Sequence, residues 1–279
     1  MKVIILAGGR TKLPGKIRNI PNSLIQIKGR PLLEYQLDLL KKYKLNDIRL
    51  SLGFKAKEIL RYLKKSKDKK AKITGKKGKI AGMEYIIQPG YLGTGGAIRY
   101  SVKDLKKDFM ILYGDGLTNI NLSDFIKFYK RNISEPRSFS FPSLLKIPSL
   151  KIKTPLKKRV SYEEILGAMV VFYTQDTDIS DFGIVKVKNN RAIDFAEKPD
   201  YQYSGYVNAG IYILSPQIFQ TKILKSKEAK NPLSLEKTVF PKLAEEHQLV
   251  AYVHRGLWCD IDSKEGMERA ETIAEKLKE

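Results

Sequence analysis

Residues 2–9 read Lys-Val-Ile-Ile-Leu-Ala-Gly-Gly. A nearly unbroken apolar run of this length, stopped by paired glycines, is the pattern of a strand buried on both faces and running into a turn. The signature recurs downstream at Ile48–Gly53 (IRLSLG), at Met83–Gln88 before Pro89-Gly90, and at Phe109–Tyr113 (FMILY) before Gly114-Asp115-Gly116. Helical spacing fills the intervals at Pro31–Lys44, Lys57–Leu63 and Gly95–Leu105, and follows again at Leu122–Arg131. In the first of these, Leu32, Leu33, Tyr35, Gln36, Leu39, Leu40 and Tyr43 make one stripe, and Pro31 stands at a favoured helix start. Alternating β and α elements predict an α/β fold with a doubly wound, mostly parallel sheet flanked by helices. Ligands of such sheets bind beyond the carboxyl ends of the strands. Gly8-Gly9, Gln88 and Gly114-Asp115 fall at those ends.

The second half differs. Pro136, Pro142, Pro148 and Pro155 forbid a long helix across Ile133–Val160, which reads as an extended excursion. Strands return at Ala168–Tyr173, Gly183–Val187, Ala192–Phe195 and Ala209–Leu214, and helices at Pro216–Leu224, Leu235–Glu245 and Glu265–Leu277. No linker divides the chain, so residues 1–279 read as one domain.

Charge narrows the function classes. The 279 residues hold 52 Lys+Arg against 30 Asp+Glu, a net +22. Much of the excess lies in two segments: Lys64–Lys79 has nine lysines and one acid, and Arg137–Arg159 has seven basic residues and no acid. They read as solvated excursions or as a patch for phosphates, nucleic acid or an anionic membrane surface. Aromatic residues do not interleave with the charges as a base-stacking platform requires, so nucleic acid is disfavoured. The single cysteine, Cys259, excludes an internal disulfide, and two histidines exclude a Cys/His zinc cluster. No apolar run approaches the ~20 residues that span a bilayer. Gly8-Gly9 follows Met1–Ala7 without a signal-peptide pattern. A cytoplasmic protein is expected, and a homo-oligomer is compatible with the sequence.

Gly9-Arg-Thr-Lys-Leu-Pro-Gly15-Lys16 fails as a P-loop, because five residues separate the glycines and Ile17 stands where a hydroxyl should hold magnesium. Gly93-Thr-Gly95-Gly96-Ala97-Ile98 lacks the last glycine of a dinucleotide fingerprint. The ordered blocks resemble the sugar-1-phosphate nucleotidylyltransferase family instead. They are Ile5–Gly9 (ILAGG), Gly29–Tyr35 (GRPLLEY), Leu92–Ala97 (LGTGGA), Tyr113–Gly116 (YGDG), Phe182–Val185 (FGIV) with Glu197–Pro199 (EKP), Asn208–Tyr212 (NAGIY) and Trp258–Ile261 (WCDI).

The resemblance implies a single nucleotidyltransferase domain with a Rossmann-like sheet and a smaller mixed β region for the sugar phosphate. Its reaction joins a nucleoside triphosphate to a sugar-1-phosphate, giving an NDP-sugar and pyrophosphate. Asp115 and Asp260 would converge on one Mg²⁺, a hard ion suited to oxygen ligands. Ala7, Gly8 and Gly9 would bring backbone N–H groups to the nucleotide, Gln88 would read a base edge, and Gly93 and Thr94 would complete that side. Gly183, Glu197, Lys198 and Asn208 would hold the sugar phosphate. Lys12, where the family has arginine, is the candidate catalytic cation.

Some positions depart from the family. The opening loop is shorter. Asn22 stands where a lysine is expected beside the α-phosphate, and an amide cannot replace that charge. Lys12, Lys16 or Arg18 are candidate substitutes. Asp262 replaces a glycine and is expected to face solvent rather than to join the metal site. The stretch at about 134–164 is longer than the family's and reads as an insertion. A domain that binds nucleotide or sugar phosphate without catalysis, as a regulatory subunit, is the alternative.

Overall fold

A computed structural model describes residues 1–11, 13–70, 75–134, 164–175, 179, 181–200, 204–221 and 232–277. Lys12, the basic segment 137–159 and nearly all of the expected insertion lie outside the described residues. The chain starts with β1 (Lys2–Ala7), the short hairpin β2 (Gln26–Ile27) and β3 (Arg30–Pro31), and α1 (Leu32–Lys42). There follow β4 (Ile48–Leu52), α2 (Ala56–Ser66), β5 (Lys77–Ile80), β6 (Met83–Ile87), α3 (Gly93–Ser101), β7 (Phe109–Tyr113), β8 (Gly116–Thr118) and α4 (Leu122–Ser134). The second half has β9 (Gly167–Thr174), β10 (Gly183–Lys188), β11 (Arg191–Glu197) and β12 (Gly205–Leu214). A π-helical turn, Leu235–Val239, then runs into α5 (Phe240–Glu245), followed by β13 (Leu249–His254), β14 (Trp258–Asp260) and α6 (Lys264–Lys276).

Among the described residues, ten strands form one sheet in the order β10-β11-β13-β9-β12-β7-β1-β4-β6-β5. The parallel neighbours β7, β1, β4 and β6 are those expected. The sheet as a whole is mixed, which corrects the expectation of a mostly parallel one. β12 runs antiparallel to β7 and β9, β10 to β11 and β12, and β5 to β6. The expected mixed region continues the same sheet. Tight hairpins impose this order. Asn189 and Asn190 (φ 50° and 62°) turn β10 into β11, and Ala81 and Gly82 (φ 49° and 76°) turn β5 into β6. Two successive left-handed residues match the twist of paired antiparallel strands. Two helices also differ from the expectation: α3 starts at Gly93, and Pro216–Gln220 is a single 3₁₀ turn.

The Lys64–Lys79 segment is not one excursion in its described part. Lys64 and Lys65 close α2, and Lys77 and Lys79 lie exposed on edge strand β5, where lysines discourage edge-to-edge pairing. Side chains alternate across β1. Val3, Ile5 and Ala7 enter a core with Leu33, Leu60, Leu63, Phe125 and Tyr129 from α1, α2 and α4. Ile4 enters the opposite core with Ile98, Tyr212, Val239, Phe240 and Leu243. Each such fully buried aliphatic or aromatic side chain contributes about 1.5–3 kcal/mol.

At the amino ends of the parallel strands, opposite the glycine loops, Arg49 is buried with 6% of its side chain exposed. Its Nε donates to Glu84 (2.6 Å), and Nη1 and Nη2 grip both oxygens of Asp104 (2.6 and 2.7 Å). Lys2 bridges Asp47 (2.7 Å) and Glu84 (3.1 Å), tying β1 to the network. The Arg49 hydrogen bonds hold the Asp104 carboxyl down at about 2, from 3.8. A depressed carboxyl adds stability that is complete above pH ~3.8 and is lost as pH falls through ~2. Arg49→Met should therefore cost about 3 kcal/mol by chemical denaturation at pH 7. Asp104→Asn should flatten the acid limb of the stability curve. Equal acid limbs in wild type and Asp104→Asn would show that the pair is not coupled to folding.

Candidate functional site

Asp115 sits in the turn between β7 and β8, near the middle of the sheet. Its placement begins with an antiparallel ribbon: β14 pairs with β8, setting Asp260 opposite Gly116. The Ile261 N–H then donates to the Asp115 carbonyl at 3.0 Å. A third apolar cluster supports this corner from below, with Leu117, Cys259 and Ile261 against Ile25 and Ile27 and against Ala270, Ile273 and Ala274 of α6. Buried Gln36 of α1 donates Nε2 to the carbonyls of Tyr113 (2.7 Å) and Gly116 (2.9 Å), bracing both ends of the turn. The ribbon thus brings Asp260 to the turn that carries Asp115.

Asp262 joins them, which corrects the expectation that it faces solvent. Asn22 Nδ2 donates to Asp262 Oδ1 at 3.2 Å, with Asn22 itself only 5% exposed. Burial, then the negative charges of Asp262 and Asp260, push the Asp115 carboxyl up to about 7, against its own turn's backbone and the Asn22 amide. Three carboxylates crowd one corner whose loop residue is a neutral amide. Among the described residues, no three His, Cys, Asp or Glu side chains form a ready-made metal cage. The donor set still fits a hard divalent ion that completes its shell with phosphate and water.

At the ends of β1, β4 and β6, the Gly8 loop packs closely on Gly53 and Gln88. A Cβ on Gly8 would stand 3.1 Å from Gln88 Nε2 and 3.2 Å from the Gly53 nitrogen, so glycine permits that approach. Ala7, which precedes it, is buried at the end of β1. Gly9 lies against Asn22, whose Nδ2 would be 3.4 Å from a Cβ there. Gln88 Nε2 donates to Ser51 Oγ at 3.0 Å, which fixes its amide. Gly93 (φ +72°) turns the chain against Leu233, whose carbonyl would lie 2.4 Å from a Cβ. That carbonyl accepts from the Gly95 and Gly96 nitrogens at 2.8 and 3.2 Å, so the first amides of α3 are engaged by protein. Thr94 is engaged too, its hydroxyl donating to Glu236 at 2.6 Å and accepting from the Leu235 nitrogen at 3.0 Å.

On the other side of Asp115, Gly183 pairs with Glu197 across β10 and β11. A Cβ on Gly183 would lie 2.9 Å from Glu197 Oε2 and 2.6 Å from the Phe195 ring, so the glycine makes room for the carboxylate. Lys198 (φ 51°) follows at the strand end, its Nζ 3.8 Å from Asp181. Asn208 Oδ1 accepts from the Gly210 nitrogen (3.2 Å) and the Tyr212 hydroxyl (2.8 Å) at an irregularity in β12. Trp258, with Phe172 and Phe182 at 5.7 and 5.8 Å between ring centroids, forms an aromatic wall. Its indole donates to the Ala209 carbonyl at 3.0 Å.

Sequence reasoning missed Arg10, Gln36 and Glu236. Arg10 is exposed on the glycine loop, with its guanidinium 5.4 Å over the Phe54 ring and its Nε 3.4 Å from the Arg18 carbonyl. The signal for Gln36 was a polar residue inside an apolar stripe. That for Glu236 was an acid between Leu235 and Val239 in a segment read as a helix.

The nucleotidyl transferase family model matches residues 147–276. The chain is 26% identical over 266 residues to a probable mannose-1-phosphate guanylyltransferase 2 of Oryza sativa subsp. japonica, covering 94% of this chain and 61% of that protein. It is 27% identical over 267 residues to the mannose-1-phosphate guanylyltransferase catalytic subunit beta of Danio rerio, with the same coverages. The chain therefore spans about three fifths of these relatives' length. Among solved structures, HddC from Yersinia pseudotuberculosis complexed with GMP-PN superposes with a TM-score of 0.68 at 23% identity, covering 97% of this chain and 98% of that one. A putative glucose-1-phosphate thymidylyltransferase from Bacillus anthracis gives 0.71 at 16%, covering 98% and 94%. In its ordered motifs and its fold the chain is thus similar to the sugar-1-phosphate nucleotidylyltransferases.

The carboxylate crowding has a measurable cost. Asp115 titrates higher in the folded chain (about 7) than in the unfolded one (3.8), so metal-free stability falls as pH rises between those values. Asp262→Asn removes one repelling charge and should shrink that fall. Urea unfolding in EDTA at pH 5 and pH 8 measures it. Superimposable pH dependence in wild type and variant would remove Asp262 from the cluster.

Proposed function

We propose that the chain catalyses attack of a sugar-1-phosphate on the α-phosphate of a nucleoside triphosphate, releasing pyrophosphate and forming an NDP-sugar. The supporting observation is the β8–β14 ribbon, which brings Asp260 to the Asp115 turn. The Gly8-Gly9 loop suits a nucleotide, and the Glu197–Lys198 end of β11 suits a sugar phosphate.

Asp115 and Asp260 would hold Mg²⁺, with Asp262 beside them. When bound, the ion would screen the two polyanions and stabilise charge on the departing pyrophosphate. The rest falls to the chain. Gly8 and Gly9 let the triphosphate approach the backbone. Gln88, its Nε2 tied to Ser51, presents Oε1 as an acceptor for an N–H of the base edge. Glu197 accepts from sugar hydroxyls, and Lys198 meets the sugar phosphate. Arg10 supplies the cation that Asn22 does not, because it projects from the same loop and its guanidinium stacks on Phe54. Mannose-1-phosphate and GTP are the first substrates to try, since the relatives in rice and zebrafish are named for that pair.

Pyrophosphate release should be screened across nucleoside triphosphates and sugar-1-phosphates. Wild type should turn over at least one pair and stop in EDTA. Asp115→Asn and Asp260→Asn should each lose about 100-fold or more while remaining folded. Arg10→Ala should raise the KM for nucleotide about tenfold and leave the KM for sugar phosphate nearly unchanged. A wild type that binds nucleotide but turns over no pair would favour the binding-only domain.

A further inference from the structure

We infer that Glu236 is a positioning residue, one that joins the Gly93-Thr94 turn and the Asp115 turn into a single rigid unit; the inference rests on the reading of the site given above. Glu236 lies in the π-helical turn Leu235–Val239, outside the sequence motifs that define the family resemblance, and is 8% exposed. Three hydroxyls donate to its carboxylate. Thr94 Oγ1 reaches Oε2 at 2.6 Å, Ser234 Oγ reaches Oε2 at 2.7 Å, and the Tyr113 phenol reaches Oε1.

Each donor does a second job. Ser234 caps the π turn by accepting from the Lys237 nitrogen at 3.1 Å, which fixes the backbone that carries Glu236. Thr94 accepts from the Leu235 nitrogen at 3.0 Å, so the Gly93-Thr94 turn is pinned to the same backbone. Tyr113 is the last residue of β7, two positions before Asp115, and its carbonyl is already held by Gln36 at 2.7 Å. Its ring meets Tyr212 edge to face with centroids 5.4 Å apart, and the Tyr212 hydroxyl donates to Asn208 at 2.8 Å. The chain of contacts therefore runs from the nucleotide-side turn, past the carboxylate corner, to Asn208 on the sugar side.

The chemistry argues for more than filler. Hydroxyls are the donors, and a buried neutral residue would satisfy them at lower desolvation cost than a carboxylate. What a carboxylate adds is stronger, shorter hydrogen bonds and acceptor capacity for several donors at once. A π turn is the local distortion that turns the side chain inward, and such turns gather at functional sites. Groups that orient ligand-holding loops in this way typically change affinity or activity by roughly 10–100-fold when removed.

The test compares full-length wild type, Glu236→Gln, Thr94→Val, Tyr113→Phe and the double variant Glu236→Gln/Tyr113→Phe. The readouts are melting temperature, pyrophosphate-release kinetics and calorimetric titration with each of the four common ribonucleoside triphosphates in Mg²⁺. Glu236→Gln should weaken nucleotide binding and raise the nucleotide KM by roughly 10-fold or more, with kcat reduced. The double variant should be hardly worse than Glu236→Gln alone, because both changes cut the same link. A merely structural Glu236 would lower the melting temperature and the active fraction while leaving Kd and KM in place. Values of Kd and KM within twofold of wild type overturn the inference. So does strict multiplicativity of Glu236→Gln and Tyr113→Phe. If Glu236→Gln fails to fold, Thr94→Val and Tyr113→Phe carry the same readouts and the same limits. A wild type that binds nucleotide without turnover defeats the proposed reaction and leaves the inference to be decided by Kd. One that turns over normally alongside an equally competent Glu236→Gln defeats the inference alone. One that neither binds nor turns over counts against both.

Discussion

The short antiparallel pairing of β14 with β8 is the interaction on which the rest of this structure depends. A parallel sheet delivers its loops to one edge, but only from strands that follow one another in the same half of the chain. Asp260 comes from the other end of the sequence. It reaches Asp115 because three residue pairs, Trp258 with Thr118, Cys259 with Leu117, and Asp260 with Gly116, hold the ribbon in register. A slip of one residue would turn Cys259 outward and Asp260 into the apolar cluster under α6. The buried face of the ribbon therefore fixes the chemistry of its exposed face.

That corner is strained electrostatically, and the strain is informative. Burial, and then the charges of Asp262 and Asp260, push the Asp115 carboxyl up to about 7. Nothing in the fold requires this for stability. The network around Arg49, at the opposite end of the same strands, shows the other arrangement: a buried cation matched by Glu84 and Asp104. One end of the sheet is neutralised by side chains. The other gathers Asp115, Asp260 and Asp262 at one corner.

The sequence made much of this legible, for identifiable reasons. The parallel strands were readable because burial on both faces leaves unbroken apolar runs such as Val3–Leu6 and Phe109–Leu112. Asp115, Asp260, Gly8 and Gly183 were readable because they sit in short blocks whose order is itself a signal. The antiparallel half was harder. β13 is entered by way of His247 (φ 55°), where a glycine would have announced the end of the helix, and so the strand was overlooked. Asn189-Asn190 performs a hairpin turn without glycine as well. Asp262 was misjudged because its partner, Asn22, is remote in sequence and only the ribbon brings them together. Thr94 was expected at the nucleotide, yet its hydroxyl is bonded to Glu236 and Leu235.

The glycines at the site separate into two kinds. Gly8 and Gly183 stand against polar side chains, Gln88 and Glu197, together with the Gly53 backbone and the Phe195 ring. At these positions the missing Cβ is space for a functional group. Gly93 and Gly114 are closed off by backbone, Leu233 and Leu6 respectively, and Gly93 also takes a left-handed φ. At these positions the missing Cβ lets two segments touch. The second kind makes the walls that the first kind lines. Because Gly93 presses on Leu233 just ahead of Ser234 and Glu236, the close approach also sets the distance over which Thr94 can reach that carboxylate. Backbone contact and hydrogen bond thus constrain each other, and neither arrangement is available without the other.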